Sequence, residues 1–134
     1  MTAAKITYFL LSDKRKIHLP QVGSMMKIIY NKIIPFGSEF TAINLFGIIF
    51  AKGHCDKVTV NHEKIHTAQM KELCYVLFYL LYVIEWTAKL VIYGNHMKAY
   101  RRISFEMEAY AHQNDREYLK ERKHFAFLRY ILKR

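Results

Sequence analysis

One hydrophobic stretch in the first half of the chain is typical of strands. The stretch FTAINLFGIIFA, Phe40 to Ala51, is rich in β-branched and aromatic residues, which predicts one strand or two short strands broken at Gly47. The stretch KGHCD, Lys52 to Asp56, is a predicted turn. After it, the side-chain oxygen of Asp56 or Thr59 can cap a helix by accepting a free amide hydrogen of the first turn.

The longest uninterrupted pattern runs from Val60 to Tyr93 without a glycine or a proline. This continuity predicts one long helix, or two helices joined by a subtle break. Gly94 and Asn95 tolerate left-handed dihedral angles and are expected to end the pattern. Ser104 is a predicted N-cap for a further helix that reaches about Lys123. The predicted fold is therefore mainly α (α+β), with a small N-terminal β-sheet followed by long helices.

The length of 134 residues is typical of one domain, and we expect a single domain over residues 25–134. Residues 1–24 are expected to be a peripheral extension, because a more coherent pattern begins only at Met25. The apolar run ITYFLL near the amino terminus is too short for a signal-peptide core, which favours a cytoplasmic protein. Cys55 and Cys74 form no C-x-x-C pair and are expected to be reduced thiols.

The segment from Leu73 to Tyr93 is apolar except at Glu85, Thr87 and Lys89. A helix that is apolar on every side must be covered on every side, and the rest of the chain is too small to wrap it. We therefore expect one side to meet lipid, a partner chain or a second copy in a homo-oligomer. The segment is long enough to span a bilayer, although Glu85 and Lys89 would each cost about 2.5–3.5 kcal/mol near its centre.

The charge of the chain favours an anionic partner. The formal net charge is +10, and Lys98, Arg101, Arg102 and the tail LRYILKR provide cations for anionic lipid. An anionic surface such as the cytoplasmic face of the inner membrane is therefore one expected partner. Nucleic acid is less favoured, because the basic residues are dispersed among aromatic residues without a known DNA- or RNA-binding module.

Within the predicted helix, the stretch VNHEKIHTAQ carries the pattern H-E-x-x-H. Residues four apart lie on one face of a helix, so His62 and His66 can offer two imidazoles to one ion. Glu63 stands beside them, where its carboxylate can take a proton from a water whose pKa a zinc ion has lowered. The competing interpretation is a pair of surface histidines. The pattern predicts a Zn²⁺ site with a built-in general base.

Three glutamates are candidates for the third ligand of this site. Glu85 would lie about 28 Å from His66 along an unbroken helix. Glu106 can return to the motif if Gly94–Ile103 runs extended, since ten extended residues reach about 30 Å. Glu108 points about 200° away from Glu106 on the same helix, so both cannot face one ion. We favour Glu106 and keep Glu85 and Glu108 as alternatives.

The block HEKIH followed downstream by SFEMEAY resembles the HExxH…E plan of gluzincins, the zinc peptidases with a glutamate as third ligand. FEMEAY is also similar to the E-x-x-x-D signature of membrane CAAX-prenyl proteases and heat-shock membrane proteases. The resemblance implies a zincin-like fold, with His62, His66 and Glu106 as ligands and Glu63 as general base. Tyr110 stands where that signature has aspartate, so it can donate a hydrogen bond to a ligand histidine but supplies no charge.

Two functional hypotheses follow. The first is a metallopeptidase for a peptide or protein substrate, in which the strand region Phe40–Ala51 pairs with substrate, as the edge strand does in gluzincins. Tyr110 and His112 are its candidates for stabilising an oxyanion. The second is a non-catalytic membrane-associated or oligomeric helical protein that keeps a structural or vestigial metal site.

Overall fold

The computed structural model describes residues 26–34 and 41–133. The predicted extension, residues 1–24, and the first residue of the predicted strand region, Phe40, lie outside these ranges. In the described part, the fold is mainly helical with a small three-stranded sheet in front of five α-helices, which confirms the predicted α+β class. The strands are β1 (Ile28–Tyr30), β2 (Ala42–Leu45) and β3 (Ile48–Ala51). The helices are α1 (Lys57–Glu72), α2 (Val76–Tyr93), α3 (His96–Arg101), α4 (Ser104–His112) and α5 (Tyr118–Glu121), followed by a 3₁₀ helix (Ala126–Tyr130).

The sheet has the order β1-β3-β2, with β1 parallel and β2 antiparallel to the central strand. Strands β2 and β3 form a hairpin whose two turn residues, Phe46 and Gly47, both have positive φ, 53° and 84°. A two-residue turn of this hand matches the twist of antiparallel strands. The prediction of two short strands broken at Gly47 is therefore the correct one of the two alternatives.

Helix α1 begins at Lys57 and is capped by Asp56, whose Oδ1 accepts a hydrogen bond from the Thr59 amide at 2.7 Å. This confirms one of the two predicted caps. Strand β2 is fixed to α1 by Asn44, whose Nδ2 donates to the Glu63 carbonyl oxygen and to Thr67 Oγ1, both at 2.7 Å. The sheet edge is thereby held against the turn of α1 that carries the H-E-x-x-H pattern.

The chain bends sharply between α1 and α2. Cys74 and Tyr75 both have positive φ, 50° and 60°, so the helix stops without a glycine or a proline. Helix α2 then folds back toward the sheet, and the Tyr79 hydroxyl donates to the Met70 sulfur and accepts from the Phe46 amide. The prediction of two helices is therefore correct. The alternative of one unbroken helix, which gave the separation of about 28 Å between His66 and Glu85, was wrong.

The connection from α2 to α4 is helical. Gly94 ends α2 in the left-handed conformation, as predicted, and Asn95 caps α3 by accepting from the Lys98 amide at 2.9 Å. The expected extended segment Gly94–Ile103 was therefore wrong. The chain reaches the motif because α2 has already turned back, so no long extended return is needed.

Helix α4 ends at His112, well before Lys123, so the predicted length was wrong. The Nδ2 of Asn61 lies 2.9–3.3 Å from the backbone carbonyls of His112, Gln113 and Asp115 and donates to them. These tertiary hydrogen bonds satisfy carbonyls that a continuing helix would have used, and they fix the end of α4 against α1.

The apolar core lies where α1, α2, α4 and the 3₁₀ helix meet. Its ring contacts are close: the Phe105 ring centroid is 4.8 Å from that of Phe78 and 4.5 Å from that of Phe127. This cluster holds the start of α4 against α1 and so positions the residues that follow Phe105. The buried members are Met70, Leu73, Phe78, Ile103, Phe105 and Phe127.

Candidate metal centre

The two histidines of the motif meet on the buried face of α1. His62 and His66 are 7% and 6% exposed, and their Nε2 atoms are 3.1 Å apart. The two side chains thus lie on one face of the helix, as their spacing of four residues predicts. They are therefore not surface histidines, and that competing interpretation was wrong.

Glu106 completes a triangle with these two nitrogens. Its Oε1 is 3.2 Å from His66 Nε2, its Oε2 is 3.3 Å from His62 Nε2, and the residue is 3% exposed. Within the described residues, these three side chains form the cluster of histidine, cysteine or acidic groups close enough to share one ion. Glu106 is the glutamate that the sequence favours, and α4 presents it from its first turn.

The hydrogen bonds of His66 show which of its two ring nitrogens faces the triangle. Gln69 Nε2 donates to the Phe105 carbonyl and to Glu108 Oε2, both at 3.1 Å, so its Oε1 is the atom that faces His66. His66 Nδ1 is 2.8 Å from that Oε1 and must donate to it. In the neutral ring, Nε2 then keeps a free lone pair directed at Glu106 and His62.

His62 is held in the same way by a residue of α4's C-terminal end. Its Nδ1 is 3.2 Å from Oε1 of Gln113, which leaves Nε2 toward the triangle. Each of the two histidines thus has a glutamine oxygen on its outer nitrogen, an arrangement that fixes ring orientation in metal sites. Gln113 was missed by the sequence analysis, although it stands seven residues after Glu106 and so on the same helix face.

The triangle has the dimensions of a tetrahedral metal site. An ion with bonds of about 2.0–2.1 Å places neighbouring ligand atoms about 3.3 Å apart. Here the two nitrogens are 3.1 Å apart, and each lies 3.2–3.3 Å from the nearer of the two Glu106 oxygens. Oε2 of Glu106 is buried, and among the described residues nothing forms a hydrogen bond to it, although His62 Nε2 lies 3.3 Å away. A buried carboxylate beside two imidazoles is unfavourable unless a proton on an imidazole or a bound cation balances its charge. The residues present therefore fit a divalent metal.

The ionisation of the cluster reflects the same need for positive charge. Burial would lower the pKa of His66, but the Glu106 carboxylate opposes this and raises it to about 9. Burial would raise the pKa of Glu106, but His66 and His62 hold it well below its usual range. Glu106 is thus an anion whose charge must be balanced locally, by a proton on an imidazole or by a metal.

Glu63 lies beside the triangle but is not one of the three residues whose ligand atoms converge, and it lines the neighbouring cavity. Burial raises the pKa of its carboxyl, and Glu106 adds to that rise while His66 and His62 oppose it. A carboxylate with a raised pKa accepts a proton more readily at neutral pH, which is the property that a general base requires.

An open cavity of about 530 Å³ borders the cluster. Glu63, His66 and Glu106 form part of its wall, and its other walls come from β2, α2 and α3. The lining is predominantly apolar and aromatic away from these polar groups. The members from α2 and α3 are Phe78, Tyr79, Tyr82, Val83, Trp86, His96 and Met97, with Tyr100.

Two tyrosines that the sequence analysis missed contact this site. The Tyr82 hydroxyl donates to Glu106 Oε1 at 2.8 Å, and burial raises its pKa well above its usual value, so it stays a donor. Tyr100 lines the same cavity, and its hydroxyl is hydrogen-bonded to that of Tyr110. Tyr82 reaches Glu106 because the chain bends at Cys74 and Tyr75. The spacing of Tyr82 from the H-E-x-x-H pattern therefore does not predict the contact.

Glu108 supports the site from outside and is not a ligand. It accepts from Gln69, Tyr118 and Arg122, and Arg122 also pairs with Glu72 at the end of α1. The predicted opposite orientation of Glu106 and Glu108 is confirmed. The hydrogen bonds run from His66 through Gln69 and Glu108 to Arg122, so the orientation of the imidazole is tied to a buried ion pair.

Glu85, the other alternative ligand, binds the start of α4 instead of the triangle. Its Oε1 accepts from the Ser104 amide at 2.9 Å and its Oε2 from the Ser104 hydroxyl at 2.6 Å. Ser104 is therefore the first residue of the helix and not its cap, which corrects the prediction. Glu85 also forms an ion pair with Lys89, whose Nζ lies 2.7 Å from Glu85 Oε1.

The two proposed auxiliary residues lie in different places. Tyr110 packs the edge of its ring on His62, with centroids 4.7 Å apart, while the hydrogen bond to the His62 Nδ1 comes from Gln113. His112 stacks on Tyr118 at 3.6 Å and bonds the Tyr130 hydroxyl, on the side of α4 that packs against the carboxyl-terminal segment. The structure thus brings Tyr110 to the cluster and leaves His112 outside it.

Comparison of the chain with protein-family models, with curated proteins and with solved structures finds no match. A functional proposal therefore depends on the geometry of the cluster and on its chemistry.

Proposed function

We propose that this protein is a zinc-dependent metallopeptidase of the gluzincin type, with His62, His66 and Glu106 as ligands and Glu63 as general base. The observation that carries the proposal is the convergence of two imidazole Nε2 atoms and a buried carboxylate beside a second buried glutamate, at the wall of an open cavity. A zinc ion held there would activate a water molecule and polarise the scissile carbonyl group.

The ligand set favours zinc over other common metals. Two imidazoles and one carboxylate suit zinc, whereas calcium and magnesium prefer sites built from oxygen ligands. His66, Glu106 and Glu63 line the cavity, so one side of the cluster is accessible to a small molecule. Structural zinc sites are closed by four protein ligands, while catalytic sites keep one position open, so three ligands at a cavity favour catalysis.

Glu63 has the position and the proton affinity for the proton transfer. Its carboxylate faces the cavity, and its raised pKa favours taking a proton from a water held there. In the same role it returns that proton to the nitrogen of the leaving amine. Tyr82 keeps Glu106 oriented through its hydroxyl.

Strand β2 offers an edge with which the backbone of an extended substrate can pair. Among the described residues, β2 pairs only with β3, and all four β2 residues line the cavity. An extended peptide can add to this edge as a further strand, with main-chain hydrogen bonds giving affinity. Because Asn44 ties β2 to the Glu63 carbonyl, a peptide on this edge passes directly in front of the cluster.

A second candidate function is a non-catalytic helical protein with a structural or vestigial metal site. It is favoured by a separate observation, the long exposed apolar surface of α2, which has no role in hydrolysis. The two candidates agree on the ligands and differ on Glu63, which is needed only by the enzyme.

The experiment that separates them measures zinc content and peptide hydrolysis in the same preparations. In Glu63→Gln we expect about one zinc per chain and a loss of hydrolysis of about 10²- to 10⁴-fold, the usual contribution of a general base. Glu117→Gln, an exposed glutamate, is the matched control and should retain both properties. Zinc binding without hydrolysis of any peptide in a mixed-sequence library, or hydrolysis that survives Glu63→Gln, would contradict the enzyme hypothesis.

A further inference from the structure

Helix α2 presents a continuous apolar surface to solvent. It has 18 residues and is long and apolar enough to cross a membrane, yet only 6% of it is buried within the described chain. Large contiguous apolar patches on a protein mark sites of contact with other molecules. The surface, here called the outer face of α2, comprises residues that are each more than half exposed: Val76, Leu80, Val83, Ile84, Val91 and Ile92.

The charged residues of α2 are turned away from this face. Glu85 binds Ser104, and Lys89 donates to the Arg102 carbonyl oxygen and pairs with Glu85. The remaining exposed positions of the helix are uncharged, so the outer face carries no charge along its length. The inward pairing removes the cost that two charges would otherwise impose on a helix in contact with hydrocarbon.

Charge distinguishes between the two candidate occupants, a second copy and a lipid surface. The chain carries a formal net charge of +10, and the outer face contains no acidic residue that could pair with basic groups of another copy. Exposed cations flank the helix, with Lys71 before it and Lys98 and Arg101 after it. Two such copies repel each other, whereas cations beside an apolar surface are complementary to anionic headgroups above acyl chains.

We infer that the outer face of α2 seats the protein on the surface of an anionic phospholipid bilayer, with the helix axis in the plane of the membrane. The inner face of the same helix carries Tyr82 and Glu85, which are hydrogen-bonded to Glu106 and Ser104. A spanning orientation would bury this polar side and the elements packed on it in hydrocarbon. An interfacial helix instead submerges only its apolar side.

This seating places the cavity at the membrane boundary. Val83 belongs both to the outer face and to the lining of the cavity, so the cavity lies alongside the submerged surface. Membrane binding by this face does not depend on the proposed catalysis, and it can be tested in a protein with or without zinc.

The test is flotation of the full chain with vesicles of phosphatidylglycerol and phosphatidylcholine, compared with vesicles of phosphatidylcholine alone. We expect binding to the anionic vesicles, and a reduction of about tenfold or more in Leu80→Asp/Ile84→Asp, because each substitution removes an exposed apolar side chain that the membrane would bury. The matched control is Ile33→Asp, an exposed isoleucine after β1, on the sheet edge away from β2. It should bind as the wild type does.

Each other outcome overturns the inference. Equal binding of Leu80→Asp/Ile84→Asp and wild type would assign binding to another surface. A full chain that stays with neither vesicle, and sediments as a monomer, would mean that another segment of the chain covers the outer face. A dimer that the double substitution dissociates, with no vesicle binding, would identify a second copy as the occupant. Circular dichroism of both variants establishes that they are folded.

Discussion

Helices α1 and α2 are consecutive, yet they distribute polarity in opposite ways. α1 buries polar side chains, among them His62, Glu63, His66 and Gln69, and α2 exposes most of its apolar ones. Both reverse the usual pattern of apolar residues inside and polar residues outside. Burying a polar group is unfavourable unless the group is paired, and exposing an apolar face to water is unfavourable as well. The two proposals supply what each helix lacks in the described chain, a cation for α1 and a lipid surface for α2.

The largest expected effect is the loss of the metal when one of its ligands is removed. We expect His66→Ala to lower the zinc content of the purified protein from about one ion per chain to a small fraction, since two remaining ligands hold zinc weakly. The exposed His54 provides the matched control, and His54→Ala should keep its zinc. Metal analysis of both variants is the measurement, and equal zinc content in the two would remove the basis for the site.

A second effect tests how strongly the polar interior depends on complete pairing. Arg122→Leu leaves Glu72 and Glu108 buried without their cation, and we expect the free energy of unfolding to fall by about 3 kcal/mol. Urea denaturation measures it. In Lys120→Leu, which breaks an exposed pair with Glu117, the change should stay below about 1 kcal/mol. If the two variants lost the same stability, the buried network would not hold the fold.

The outer hydrogen bonds of the histidines should matter less than the ligands. Gln113→Ala removes the oxygen that orients His62, and we expect zinc affinity to fall by about 10- to 100-fold with the stoichiometry unchanged. Competition with a zinc chelator gives the affinity. Asn114→Ala, at the exposed neighbouring position, should leave it as in wild type. An unchanged affinity in Gln113→Ala would show that the ring is oriented by packing alone.

Glu85 offers a way to separate stability from metal binding. Glu85→Ala should retain about one zinc per chain and lose about 1–2 kcal/mol of stability, because the start of α4 loses an acceptor and Lys89 loses its partner. Metal analysis and urea denaturation together test this. Thr87→Ala, on the exposed side of the same helix, should change neither quantity appreciably. Loss of zinc in Glu85→Ala would contradict this and would favour Glu85 as the third ligand.

The smallest expected effect concerns the outer face of α2 in the absence of lipid. Val91 is 82% exposed, so Val91→Ser should change the free energy of unfolding by less than about 0.5 kcal/mol. Phe78→Ala, on the buried side of the same helix, should cost about 3–5 kcal/mol. Both come from denaturation in dilute buffer. A large cost for Val91→Ser would show that the face is already covered in solution.

The elements that follow from local chemistry were predictable. The hairpin break at Gly47, the cap at Asp56 and the end of α2 at Gly94 each depend on residues close in sequence. The convergence of His62 and His66 depends only on helix periodicity. The sequence favoured Glu106 among the three candidate third ligands, but it predicted the wrong path of the chain back to the two histidines. The chain returns through the bend after α1 and not through an extended segment.

What could not be predicted depends on tertiary contacts. The left-handed pair Cys74–Tyr75 carries no turn signal, so neither the bend nor the approach of Tyr82 to Glu106 was visible. The early end of α4 depends on Asn61, about 50 residues earlier in the chain, which binds its last carbonyls. Ser104 looked like a cap because serine commonly is one, but a carboxylate from another helix satisfies its amide instead.

The proposed metal centre is tested most directly by zinc K-edge X-ray absorption of the full chain loaded with one equivalent of zinc. We expect two imidazole nitrogens and carboxylate oxygen around one ion at about 2.0–2.2 Å, with one imidazole lost in His62→Ala and the carboxylate lost in Glu106→Ala. A spectrum without two imidazoles, or one that Glu106→Ala leaves unchanged, would contradict the assignment of His62, His66 and Glu106 as the metal centre.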